Sequence, residues 1–219
     1  MTGGVEGPRP ARSASTPRPA RWVLVPAVIG GLLFTVGLLA EARCAVGRCP
    51  DAGWYRLVAL DSVGALPRLF TTAVFLAAGL LAGVGAVRST GRARWWWAAV
   101  LAAGVVLAVA KAGSVSTAAE QDGGRYATLA GTLLLSGVGL SVLWWAGRRW
   151  SVRGTARVTL ALAGYVVAAL GLDQVTVAVR AVSGSPLALA VATYLEEGAE
   201  AVAALLLLAV VSAWRPGRT

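Results

Sequence analysis

Six stretches of predominantly apolar residues recur between Trp22 and Trp214, each closed off by Arg, Gly, Pro or Ser, and this spacing constrains the fold more than any other feature. About 20 apolar residues in a helix cross the roughly 30 Å hydrocarbon layer of a bilayer. The runs are rich in Val and Ala, yet they do not alternate polar with apolar positions as the strands of a membrane barrel do. An open sheet would leave backbone groups unsatisfied in lipid, so helices are the surviving option. The sequence therefore predicts an all-α, polytopic transmembrane helical bundle in the cell membrane. Its spans fall at about 22–40, 69–87, 95–113, 127–146, 157–179 and 187–213.

Composition supports lipid as the solvent. The chain is 57% hydrophobic and 14% charged, where a soluble domain carries about a quarter charged residues. One membrane domain, 22–214, uses nearly the whole length. Residues 1–21 are rich in Pro, Ser, Thr, Gly and Arg, have no apolar periodicity, and read as a disordered basic tail. Residues 215–219 form a second short tail. A cleaved signal peptide is the competing reading of Arg18 and Arg21 before an apolar run, but the run to Ala40 is longer than the usual 7–15 residue signal core.

Orientation follows from the basic residues. Alternating sides at each span collects Arg9, Arg12, Arg18, Arg21, Arg88, Arg92, Arg94, Arg148, Arg149, Arg153, Arg157, Arg215 and Arg218 on one face, with Glu6 the single acid among them. The other face holds Arg43, Arg48, Arg56, Arg68, Arg125 and Arg180, mixed with Glu41, Asp51, Asp61, Glu120 and Asp122. The positive-inside rule makes the first face, and with it both termini, cytoplasmic. This placement accounts for the net charge of +10 without a nucleic-acid partner. Eight tryptophans (Trp22, Trp95, Trp96, Trp97, Trp144, Trp145, Trp150 and Trp214) fall at the same ends of the spans, where indoles favour the headgroup layer rather than a core. Small pairs such as Gly79 and Gly83, Gly164 and Gly171, and Ala199 and Ala203 read as close-packing points of the bundle.

The chemistry-bearing residues concentrate late in the chain. In the run TYLEEGAEAVAALLLL, Glu196 and Glu200 share one helical face and Glu197 neighbours Glu200 at i+3. An acidic side chain near the centre of a span costs about 2.5–3.5 kcal/mol on insertion scales, so three of them demand compensation by cations, protonation or water. Asp173, Lys111 and Arg180 lie at the same, outer ends of their spans. The expectation is a polar cavity open to the outside, lined by Asp173, Glu196, Glu197 and Glu200, with Lys111 and Arg180 as counter-charges. Such a cluster would bind a proton or a small cation. The plainer reading is an ion pair that ties helices together.

Cys44 and Cys49, in the run CAVGRC of the first outer loop, are expected to pair as a structural disulfide; a thiol redox role is the sharper alternative. Trp54, Tyr55, Leu57, Val58 and Leu60 would form a short helix on the outer surface. The chain contains no His, which removes bis-His haem ligation and most zinc sites. No cofactor is implied, and the metal question stays open. The Glu-Glu pair is like the EExxxR motif of the CAAX-type intramembrane proteases, but position 201 is Ala and the histidines of that family are missing. No GxSxG, P-loop or dinucleotide fingerprint occurs, so no enzyme class is indicated.

The Trp-Tyr and Asp-containing first outer loop, an acid late in span five and EEGAE in the last span together resemble uncharacterised small polytopic membrane proteins of GC-rich bacteria. The resemblance covers mainly the last third of the chain and implies the membrane fold, with no activity attached. Three functions compete on this sequence. They are a proton- or cation-responsive transporter or sensor, an accessory or scaffolding subunit held to a membrane-protein partner, and an outer-face thiol redox protein.

Overall fold

The computed structural model describes residues 21–113 and 124–213. The N-terminal tail apart from Arg21, Glu120, Asp122, Trp214 and the C-terminal tail lie outside the described residues. All regular structure among those described is helical: α1 (Leu24–Ala45, after a 3-10 turn at Arg21–Val23), α2 (Ala52–Val58), α3 (Leu66–Arg88), α4 (Arg92–Gly113), α5 (Arg125–Arg149), α6 (Thr155–Val167), a π segment (Ala168–Leu172), α7 (Asp173–Val182) and α8 (Pro186–Ser212).

Helix starts follow local chemistry. Pro67 and Pro186 occupy the first turns of α3 and α8, where a missing N–H costs nothing. Ser185 accepts from the Ala188 amide at α8, and Asp51 accepts from the Gly53 and Trp54 amides at α2. Gly47, with φ of 76°, ends α1 by allowing Arg48 N to reach Arg43 O at 2.9 Å and Gly47 N to reach Cys44 O at 3.0 Å, a Schellman closure. Cys44 and Cys49 are disulfide-bonded across this turn.

Five rods are long and apolar enough to cross a bilayer: Leu24–Ala45, Leu66–Arg88, Arg92–Gly113, Tyr126–Arg149 and Thr155–Val182. They mark a multi-pass membrane protein. The α8 helix is longer than four of them at 27 residues, but Glu196, Glu197 and Glu200 set it apart. Two ends of the molecule can be named by what they carry. The disulfide end holds α2, the start of α3, the end of α4 and the α7–α8 turn; the tryptophan end holds the α3–α4 and α5–α6 turns.

The core is built around α8, which packs against α1, α3, α6 and α7, while α3 and α4 form a tight antiparallel hairpin. That hairpin depends on glycine: a Cβ on Gly104 would lie 2.8 Å from Gly79 Cα and 3.1 Å from Phe75 O, so Gly79 is a close-packing point, as its spacing suggested. Gly164 and Gly171 have nothing within 4 Å. Gly164 instead floors a groove of about 570 Å³ between α6 and α8, shared with Ala168, Gly198 and Ala199. The α5 helix is peripheral: it touches α4 and α6, contributing Leu143 and Ala146 to the core.

The tryptophans divide. Trp22, Trp95, Trp144 and Trp145 are exposed, as expected of interfacial indoles, but Trp96 and Trp97 are core residues, each 1% exposed. Burial of an indole requires a partner for its N–H. Trp96 Nε1 donates to the Leu143 carbonyl at 2.9 Å, which also pins α5 to α4, and the Trp97 ring lies under Gly85.

Candidate functional site

Two oppositely charged helices meet in the interior. From α4, Lys111 Nζ contacts Glu197 Oε1 at 2.9 Å, Glu197 Oε2 at 2.8 Å and Glu200 Oε2 at 2.7 Å. Glu197 and Glu200 stand one turn apart on α8, so a single ammonium can satisfy both. All three side chains are buried: Lys111 is 7%, Glu197 4% and Glu200 5% exposed. Both Oε2 atoms touch Nζ but have no donor aligned on them for a hydrogen bond.

Arg68 is the second cation of the cluster. It sits in the first turn of α3, 8% exposed, with an Nε that has no hydrogen-bond partner among the described residues. It interacts electrostatically with Glu197 and with the Tyr165 hydroxyl. Tyr165, from α6, interacts with Glu200 and more weakly with Glu197, and its ring stands edge-on to Phe75 at 4.8 Å. Two carboxylates and two bases balance one another inside the bundle.

The remaining acids occupy a neighbouring position. Glu196 points toward α7, where its Oε2 accepts from Thr176 Oγ1 at 2.6 Å. Asp173 and Gln174 are half-buried beside it and bonded to each other at 2.8 Å. Glu196 interacts electrostatically with Asp173, Glu197 and Glu200 in that order. The arrangement is thus a closed cluster of Glu197 and Glu200 with a half-buried pair, Glu196 and Asp173, at its side, rather than four acids around one open recess. Arg180 is exposed and forms no ion pair among the described residues; Lys111 and Arg68 are the bases that face the acids.

The sequence places Arg68 in the first outer loop within reach of the rim that carries Arg180 and Asp173, and does not single out Tyr165. Pro67 held the missing signal for Arg68, because proline at a helix start puts its successor inside the first turn. For Tyr165 the signal was a lone phenol in mid-span, a group that needs a partner when buried.

At the disulfide end Glu41 of α1 accepts from the Leu60 amide at 3.0 Å, tying the chain after α2 back to α1. Burial, and then the Glu41 charge, push the Tyr55 phenol above its ordinary value, and Trp54 and Leu57 of the same short helix are exposed. No cluster of three or more metal-ligating side chains occurs among the described residues.

The fold and this cluster define a multi-pass helical membrane protein with a charged interior. No family model, curated protein or solved structure matches the chain.

Proposed function

We propose that the chain spans the cell membrane six times, with both termini in the cytoplasm, and that its interior carboxylates make it a proton- or cation-responsive transporter or sensor. The observation that carries the reading is the sharing of one buried ammonium, Lys111, by two buried carboxylates, Glu197 and Glu200. Replacing a buried ion pair by well-packed apolar residues is often neutral or stabilising by about 1–4 kcal/mol. Charges kept in a bilayer-spanning bundle therefore point to function by default.

The test is thermal unfolding of the purified protein across pH and in Na+, K+ and Mg2+ at constant ionic strength. Wild type is expected to show a pH- or cation-dependent midpoint that the combined Glu196→Gln, Glu197→Gln and Glu200→Gln variant loses. An unchanged profile in that variant ends the reading.

A second reading has its own support. Arg68 and Lys111 balance Glu197 and Glu200, so the cluster could be a permanent tie in an accessory subunit; co-purification of a defined membrane partner with an unchanged pH profile would favour it. The redox reading rests on Cys44 and Cys49 alone, and the chain has no other cysteine to relay a thiol exchange.

A further inference from the structure

We infer that the ligand of the Lys111–Glu197–Glu200 cluster is the proton, not a metal cation, and that it arrives from the disulfide end alone. This rests on the proton- or cation-responsive reading above and narrows it.

Geometry separates the two ligands. A hard cation gathers about six to eight oxygens at 2.3–2.6 Å, but the point where Glu197 and Glu200 converge is filled by Lys111 Nζ, with contacts of 2.7–2.9 Å. Arg68 adds a second buried positive charge beside it. A metal cation would have to displace one base and approach another. A proton needs one oxygen and no coordination shell, so it can add to Glu197 or Glu200 without displacing Lys111, whose Nζ contacts their Oε2 atoms at 2.8 and 2.7 Å. Protonating either leaves Lys111 and Arg68 facing a single carboxylate, so the two bases of the α3–α4 hairpin lose half of the negative charge that α8 sets against them.

Sidedness follows from what lies above and below. Lys111 is two residues from the end of α4 and Arg68 two residues from the start of α3. At the side of the cluster the half-buried Asp173 and Glu196 add polar groups from α7 and α8, Glu196 interacting with both Asp173 and Glu197. Toward the tryptophan end about 28 Å of α4 separates Lys111 from Arg92, at 1.5 Å per residue. That depth is filled by Phe75, Trp97, Val100, Val158 and Leu207, each under 2% exposed. Thr159 is the one polar side chain there without a partner among the described residues, and six residues of helix, about 9 Å, separate it from Tyr165.

The groups facing the cluster are accounted for on every packed element: Arg68 from α3, Lys111 from α4, Tyr165 from α6, Asp173 from α7 and Glu196 on α8 itself. Glu41 of α1 is engaged by the Leu60 amide and interacts with Asp61.

The experiment reconstitutes the full chain in one orientation in liposomes and records the infrared carboxylic-acid C=O stretch while pH is stepped on one side and clamped on the other. A step to lower pH at the disulfide end is expected to raise the band in wild type and to raise it less in Glu197→Gln and Glu200→Gln. The same step at the tryptophan end, or Na+, K+ or Mg2+ at constant pH, is expected to produce no glutamate-dependent change. The readout is the difference between wild type and each Gln variant, because Asp51 and Asp61 also carry carboxylates at the disulfide end, and two independent variants keep the test standing if one misfolds. A glutamate-dependent response from the tryptophan end or to a metal cation overturns this inference and leaves the broader reading standing. No glutamate-dependent response to any of these overturns both.

Discussion

At the residue scale the decisive quantity is the cost of an unpaired buried charge. Removing one partner of a buried ion pair costs about 3–5 kcal/mol, because the charge left behind has neither water nor counter-ion. Lys111→Met strands Glu197 and Glu200 together and is expected to lower the thermal midpoint sharply in detergent at neutral pH. Combining Lys111→Met with Glu197→Gln and Glu200→Gln should recover much of that loss. Arg180→Gln, at an exposed position with no ion pair among the described residues, should leave the midpoint unchanged within error. A sharp loss in Arg180→Gln would restore Arg180 as a counter-charge.

At the element scale the α3–α4 hairpin and the π segment organise the site. The hairpin places Lys111 within reach of α8 because Gly79 and Gly104 let the two backbones touch. Gly104→Ala puts a methyl against Gly79 Cα and Phe75 O, atoms that cannot rotate away, and overpacking of this kind costs about 1–3 kcal/mol. Gly131→Ala on α5 meets nothing within 4 Å and should be neutral or gain up to about 1 kcal/mol from helix propensity. Thermal unfolding of the two variants side by side checks this; equal behaviour would mean the hairpin contact is not close. A π turn holds an extra residue per turn, so Asp173 and Thr176 are rotated from the register set by Val158, Leu162 and Tyr165. That offset assigns Thr176 to Glu196.

At the scale of the whole molecule α8 is the axis on which α1, α3, α6 and α7 pack. Its buried face, running through Glu197, Glu200, Ala204, Leu207 and Val211, changes from ionic to apolar along its length. If α8 crosses the bilayer with the five apolar rods, the chain crosses six times and its ends share a side. Fusions of a fluorescent reporter and of a phosphatase active only outside the cytoplasm, made at each terminus in turn, should report the cytoplasm at both. Opposite results at the two termini would remove α8 from the spans.

Element existence was legible in the sequence because lipid imposes one rule on every span: a long apolar run that satisfies its own backbone. Five long apolar rods stand where apolar runs were expected, and a short helix, α2, carries Trp54, Tyr55, Leu57 and Val58, whereas Leu60 lies beyond its end in the core. The cluster of Glu197, Glu200 and Lys111 was legible as charge that needs an explanation. What periodicity along one helix cannot carry is the neighbour across the interface. Only the tertiary structure decided that Arg68 and not Arg180 faces the acids, that Glu196 turns to Thr176, and that Trp96 and Trp97 are core. Those outcomes depend on contacts between helices 20 or more residues apart in the chain, where packing and charge pairing, not local pattern, set the energy.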